Sequence, residues 1–378
     1  MNFEFSDDQK ALKEQARRFL DAKAPTAAAR AVLEGPQSYD AALWKGLAEM
    51  GFLGVVIPEE YGGLGLGYLE LCVIAEEMGR AIAPVPFSSS VFLATEFLLA
   101  AGSDAQKAAW LPKLASGQAI GTFAQVEGLG GVSPKSIQAR LDGGKLTGTK
   151  RAVADGDIAD LAIVAVRTAP GQDERGLSLA LVDLTGPGVT RTVIETIDPT
   201  RSHADIVFDG APAELLGEAG EGWSLISKVF DHAAILTAFE QIGGADRALE
   251  MARDYALERM AFGRPIGSFQ AVKHMLADMY VSATLARSNG YYGAWALSTG
   301  APELAEAAAS CRVAATQAFQ HCAKNNIQVH GGMGFTWAFD CHLFYRRSNL
   351  LALNLGSLSQ WEDALIQRMR ARNAPAAA

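Results

Sequence analysis

Tyr255-Ala256-Leu257-Glu258-Arg259-Met260-Ala261-Phe262-Gly263-Arg264-Pro265-Ile266-Gly267, followed by Phe269-Gln270, is where one long helical pattern stops and another starts. Upstream, no proline occurs between Gly222 and Arg264, and Leu225, Val229, Leu236, Phe239 and Ile242 form one apolar stripe. Gly243-Gly244 inside that stripe permits close helix approach, at a propensity cost of about 1 kcal/mol per glycine. Downstream, Ser268 stands as a helix cap, with Phe269, Val272, Leu276 and Met279 on one face. Pro302 sits where a first-turn proline is tolerated, and the helix it opens runs to about Val329, where Gly331-Gly332 stops it. A last helix follows Gly356. Four antiparallel helices carrying such stripes predict a bundle.

Working outward, the period shortens before Gly222. Ser136-Ile137-Gln138-Ala139-Arg140-Leu141 alternates, Asp142-Gly143-Gly144 turns, and Lys145-Leu146-Thr147-Gly148-Thr149 returns, which is a hairpin pattern. Further short strands read at 161–166, 177–182, 189–194 and 205–208. Before residue 118 the chain is helical again. Ser6-Asp7-Asp8-Gln9 is a capping box, and Leu12, Ala16, Phe19 and Leu20 share a face. Helices are also predicted near 41–50, 68–78, 90–101 and 106–114. The expected fold is α+β: an N-terminal helical domain (1–118), a middle small β-barrel or sandwich (119–216) and a C-terminal four-helix bundle (217–378).

Composition narrows the function. The chain has 378 residues, 49% hydrophobic and 20% charged, which suits packed domains and not disorder. With 33 Lys and Arg against 42 Asp and Glu, the net charge is −9, which argues against nucleic-acid binding. Cys72, Cys311, Cys322 and Cys341 lie far apart with no C-x-x-C, so neither a zinc knuckle nor a redox pair is indicated and no metal is expected. No apolar run reaches the roughly 18 residues of a membrane span. Met1-Asn2-Phe3-Glu4 does not open a signal peptide. A soluble, cytoplasmic protein is expected.

The chemistry concentrates in the opening segment. Arg259 closes a helix just before a Gly-Pro turn, so its guanidinium projects from an end and not into a core. A planar fork of donors suits a pyrophosphate. The plain alternative is a surface arginine facing Glu258. With Gln328-Val329-His330-Gly331-Gly332-Met333-Gly334-Phe335, the segment closely resembles the acyl-CoA dehydrogenase family, and the helical, β, helical order agrees over nearly the whole chain. The resemblance implies FAD, an acyl-CoA substrate, electron-transfer flavoprotein as acceptor, and a tetramer whose neighbouring subunits complete each flavin site. It places Arg259 on the FAD pyrophosphate, across a subunit boundary, and Phe262 and Gln270 among the flavin contacts. Gln328, Gly331 and Gly332 resemble the segment where backbone approaches the adenosine end. Phe230-Asp231 matches a pair whose aspartate bonds the coenzyme A arm.

Elsewhere the sequence departs from that pattern. A Thr-Glu-Pro loop is usual where this chain has Phe123-Ala124-Gln125-Val126-Glu127-Gly128, and a Trp-Ile-Thr/Ser segment where it has Arg151-Ala152-Val153-Ala154-Asp155. Ala152 and Ala154 thus stand at the indole and hydroxyl positions. Thr200-Arg201-Ser202 resembles the family's Arg-x-Ser/Thr turn. An arginine often found after the Phe-Asp pair is Ala234 here. The family's base, a glutamate before glycine near the C-terminus, falls on Leu355; the other known base position, on the helix of Asp231, falls on Ala233. Neither accepts a proton. Glu240, two turns after Ala233 on the same face, is a candidate base, with a carboxylate bonded inside the bundle as the alternative. Asp231 and His232 lie close to the expected base position, and His330 reads as a helix-end cation.

Two functions follow. One is an FAD-dependent dehydrogenase that desaturates an acyl-CoA at its α,β bond; small residues at Ala152, Ala154, Ala233 and Ala234 leave room for a bulky acyl group, as in lipid or steroid-type catabolism. The other is a base-less subunit that completes FAD sites within a heterotetramer, in place of a homotetramer. Oxidation by dioxygen on the same scaffold is a third possibility that no residue favours.

Overall fold

Ser6 starts the chain's first helix as its sequence predicts: its Oγ accepts from the Gln9 N–H, and the Gln9 side chain accepts from the Ser6 N–H. The computed structural model describes residues 5–373. The Met1-Asn2-Phe3-Glu4 segment and residues 374–378 lie outside the described residues. Two compact units emerge. One contains the residues up to Ala29, Tyr68–Ala83 and those from Ala234 onward; the other contains Arg30–Gly67 and Pro84–Ala233.

The helices are α1 (Asp7–Lys23), α2 (Thr26–Glu34), α3 (Ala41–Glu49), α4 (Tyr68–Arg80), α5 (Glu96–Ala101), α6 (Asp104–Ala115), α7 (Gly222–Glu258), α8 (Gln270–Thr299), α9 (Leu304–His330), α10 (Cys341–Leu353) and α11 (Leu358–Arg372). In the first unit α4 and α7 meet backbone to backbone. A Cβ on Gly79 would lie 1.7 Å from the Glu240 carbonyl oxygen, and one on Gly243 would lie 1.8 Å from that of Glu76. Gly244 faces the Phe319 ring in the same way. The glycine pair in the apolar stripe is thus a contact requirement. Charges then staple the rim: Lys13 and Arg17 reach Glu76 and Glu77, Arg287 bridges Glu76 and Asp246, and Arg80 forks onto Glu250.

The second unit holds β1 (Gly121–Ala124), β2 (Arg140–Asp142), β3 (Lys145–Ala154), β4 (Leu161–Arg167), β5 (Leu177–Asp183), β6 (Val189–Ile194), β7 (His203–Pro212) and β8 (Glu214–Leu216). They form one continuous hydrogen-bonded sheet in the order β6-β7-β3-β2-β4-β5-β8, with β1 parallel to β4. The predicted hairpin is β2–β3, its turn made by Gly143 and Gly144 in the left-handed region. Every residue of β4 is buried, which its unbroken Leu-Ala-Ile-Val-Ala-Val run anticipates.

Three local readings need correction. Ser268 does not cap α8: its Oγ donates to the Pro265 carbonyl instead, and Phe269 occupies the N-cap without a side-chain bond. Pro302 lies just outside α9, whose N-cap is Glu303. The C-terminal region has a fifth helix, α10, which the four-helix reading lacks. No helix among the described residues is long and apolar enough to cross a membrane.

Candidate active site

α7 stops at Glu258 because the chain must turn. The Arg259 N–H still donates to the Tyr255 carbonyl (2.8 Å), and the Arg259 carbonyl accepts from Ile266 (2.8 Å). Between them β9 (Met260–Ala261) pairs with β10 (Arg264–Pro265) through a two-residue loop. Phe262 and Gly263, at φ 51° and 75°, both take the left-handed conformation that a tight hairpin demands. Glycine does so freely; phenylalanine pays about 1–2 kcal/mol. The Phe262 ring is 95% exposed, so core packing does not repay that strain. A strained, outward aromatic suits a ligand or neighbouring chain.

The Tyr255 ring stacks on His330 at 4.1 Å, and Phe339 packs edge-on against both. This contact brings the C-terminal ends of α7 and α9 together. Arg259 follows one, Gly331-Gly332 the other. His330 is no solvated cation: it is buried, its Nδ1 lies 2.8 Å from the Asn326 carbonyl, and burial lowers its pKa. Gly331 has φ 60°, and a Cβ on Gly331 or Gly332 would meet nothing within 4 Å. Arg259, Gln270 and Gln328 are exposed, and Arg259 makes no ion pair among the described residues. A guanidinium with its donors available, bare backbone at two glycines and two outward amides fit a dinucleotide polyanion.

In the second unit the Gln125–Gly128 loop is clamped by a buried pair. The Glu127 carboxylate accepts from the Gln138 and Ala139 N–H groups and from Lys150 Nζ at 2.6 Å. Lys150 is 0% exposed, and burial, opposed by Glu127, brings its pKa down to about 8. A bulge follows in β3, with Ala152 left-handed (φ 48°) and its N–H donating to Asp205. Ala154 gives its carbonyl to Thr122 Oγ1 at 2.6 Å. Asp155 (φ 54°) is buried, accepts from Ser89 Oγ, and has a pKa raised mainly by that burial. Arg201 faces this carboxylate and donates to Ser88 Oγ, so the Thr200-Arg201-Ser202 turn is packed into the unit. The indole and hydroxyl positions are small, yet the backbone around them is held firmly.

Leu355 (φ 64°) and Gly356 (φ 103°) make the turn between α10 and α11. Arg312, fully buried, anchors it. Its guanidinium donates to the carbonyls of Leu351 and Asn354 and to Gln241 Oε1 (2.7 Å), and Trp361 Nε1 binds the Leu355 carbonyl (3.0 Å). Burial lowers the Arg312 pKa to about 10. Glu240 and Arg347 are each 1% exposed and lie 3.6 Å apart. Such a sealed pair costs several kcal/mol to break from one side, so Glu240 is engaged in holding α7 to α10. Ala233 is fully buried, and Asp231 is buried too.

One arrangement was missed by sequence reasoning. His232 Nδ1 lies 3.0 Å from Glu96 Oε2, joining α7 to α5. Glu96 is 2% exposed and the His232 side chain 14%. Beside them Phe97 stacks on Phe123 (4.6 Å), which meets Phe230 edge-on (5.7 Å). The available signal was a carboxylate inside the apolar run Ala94-Thr95-Glu96-Phe97-Leu98.

Comparison with known proteins agrees over both ends of the chain. Residues 6–118 match the profile for the acyl-CoA dehydrogenase N-terminal domain, and residues 220–359 that for the C-terminal domain. Acyl-CoA dehydrogenase IpdE2 of Mycobacterium tuberculosis is 34% identical over 91% of each chain. An isovaleryl-CoA dehydrogenase of Oryza sativa is 32% identical over 93% of this chain and 89% of its own length. Among solved structures, a variant of the Tcur3481-Tcur3483 steroid acyl-CoA dehydrogenase superposes with a TM-score of 0.87 at 31% identity, covering 98% of this chain and 99% of the other. The ChsE4-ChsE5 complex from Mycobacterium tuberculosis gives 0.87 at 28% identity, with both chains fully covered. Together with the exposed arginine and bare glycines that suit the family's FAD, these matches establish that the chain belongs to the acyl-CoA dehydrogenase family, oxidoreductases of the CH–CH group.

Proposed function

We propose that this protein desaturates the α,β bond of a bulky, ring-bearing acyl-CoA in lipid or steroid-type catabolism, in the cytoplasm, and passes electrons to an electron-transfer flavoprotein. The carrying observation is the small side chain at each of four positions: Ala152 in the strained bulge of β3, Ala154 two residues on in the same strand, and Ala233 and Ala234 in α7. One relative whose name states a steroid substrate class supports this reading. Arg259 binds the pyrophosphate as a bidentate donor, Gly331 and Gly332 admit the adenosine end, Phe262 and Gln270 contact the flavin across the subunit boundary, and Asp231 orients the coenzyme A arm. When bound, FAD supplies the acceptor for the β-hydride. A panel of straight-chain and ring-bearing thioesters tests this, and preference for short straight chains would overturn it.

A second reading is favoured by Leu355 and Ala233. This chain then completes FAD sites in a mixed tetramer whose companion supplies the base; the ChsE4-ChsE5 complex is an assembly of two different chains. Expression alone and with the genomic neighbour separates the two. Turnover by the yellow chain alone ends the second reading.

A further inference from the structure

Resting on the assignment of Arg259 and Gly331-Gly332 to one FAD, we propose that His330 is a positioning residue of the cofactor site. Its ring, stacked on Tyr255, sets Arg259 at the separation and angle from the glycine turn that a single dinucleotide requires. The two halves of that site come from segments distant in sequence. Arg259 follows the last turn of α7, and Gly331 leaves α9 with φ 60°. A continuous line of contacts joins them. On the glycine side, Gly334 is buried against the end of α9: a Cβ there would lie 2.5 Å from the Ile327 carbonyl oxygen and 3.0 Å from His330 Cβ. His330 is the last residue of that helix, and its Nδ1 lies 2.8 Å from the Asn326 carbonyl one turn back. A carbonyl only accepts, so Nδ1 carries the proton, and the ring plane is tied to α9. The Tyr255 ring lies against that plane, 4.1 Å away and tilted by 22°. Phe339 closes the edge of both rings, 5.5 Å from His330 and 5.8 Å from Tyr255. On the arginine side, the Arg259 N–H donates to the Tyr255 carbonyl at 2.8 Å. The direction of α9 is thereby passed to the residue from which the guanidinium springs.

Packing alone does not call for this chemistry. An aliphatic pair would close the seam between α7 and α9 without fixing an angle. His330 instead buries a polar ring, 6% exposed, whose one hydrogen bond holds its direction. Two facing planar rings with few rotatable bonds resist both rotation and sliding. Where several groups act on one ligand, a misplacement of about 1 Å can cost about 10²-fold.

The test is a double-mutant cycle read as FAD affinity and not as turnover. The full chain, in the assembly that carries flavin, is stripped of FAD and titrated with it, following flavin fluorescence. Arg259→Ala removes the donor, and His330→Leu removes the ring while filling its space. Arg259→Ala is expected to raise the Kd about 10–100-fold, the worth of hydrogen bonds to a charged group, and His330→Leu about tenfold. A misplaced arginine and a missing one are partly the same loss, so the double variant should fall short of the product of the two by about threefold or more. Tyr255→Leu breaks the same stack from the other side and should give the same shortfall. Tyr255→Phe keeps the ring and should bind FAD within about twofold of wild type. A role in stability alone would lower the melting temperature of the apoprotein and leave the two effects on Kd multiplicative. A shortfall smaller than about threefold, or a wild-type Kd in His330→Leu, overturns the positioning role and leaves Arg259 as a flavin ligand. A larger loss in Tyr255→Phe would credit the hydroxyl in place of the stack and overturns it too. A wild-type Kd in Arg259→Ala overturns the assignment of that arginine, and this inference with it. Should His330→Leu lose its fold, the cycle of Tyr255→Leu with Arg259→Ala decides by the same criterion.

Discussion

At the scale of single residues, backbone strain falls at two positions that the sequence motifs single out. Phe262 and Leu355 are both left-handed without being glycine, and the side chain of neither is buried. Phe262→Asn relieves part of that cost and is expected to stabilise the fold by about 1 kcal/mol while weakening FAD retention. Thermal melting and the flavin absorbance after gel filtration measure the two effects, and tighter flavin binding would contradict the assigned contact. Leu355→Glu places a carboxylate on a turn that Arg312 already anchors, with the same backbone cost as leucine. A gain in thioester oxidation is expected; an unchanged rate would show that position 355 does not approach the substrate. Lys150 makes a pH prediction. Its native pKa of about 8 lies below the ordinary 10.5, so between these values the unfolded chain binds a proton that the native chain has shed. Stability drawn from this group therefore rises with pH across that window. Urea titrations at pH 7 and 9.5 should show wild type gaining on Lys150→Met, and a shrinking gap would reverse the sign.

At the scale of elements, helix contact distances explain which patterns were readable. Gly243→Ala puts a methyl group into the Glu76 carbonyl, so α4 and α7 must separate. The expected loss is about 3 kcal/mol or more, visible as a lower urea midpoint. The glycine pair, the β2–β3 turn and β4 were legible because each depends on local sequence: a stripe, a dipeptide, an apolar run. α10 was not. Arg346-Arg347-Ser348-Asn349 interrupts its stripe, and Arg347 is nonetheless buried because Glu240 from a distant segment meets it. The same reason hides the His232–Glu96 pair, whose partners come from α7 and α5. Arg259, Phe262 and the two glycines were legible as a motif, since neighbours in sequence make the hairpin and the helix stop. What the sequence leaves unread is the pairing of buried ionisable groups over long separations.

At the scale of the whole molecule, the surface of the first unit argues for assembly. Leu257, Met260, Phe262, Phe335 and Trp337 are exposed around the two flavin-type segments, and Tyr280, Val281 and Leu285 form an outward apolar stripe on α8. Isolated exposed apolar residues are ordinary, but an apolar stripe on the helix that Gln270 opens is an interface signal. In the proposed tetramer Arg259 serves a neighbour's FAD, so assembly and flavin retention are one equilibrium and not two. Val281→Glu with Leu285→Glu tests that coupling without touching a cofactor residue. Two like charges buried one helical turn apart oppose association. Sedimentation should then show dissociation, and the separated chains should be colourless although every flavin contact is intact in sequence. Dissociated chains that keep a full complement of flavin would place the whole cofactor site within one chain and remove the reason for Arg259 to act across a boundary.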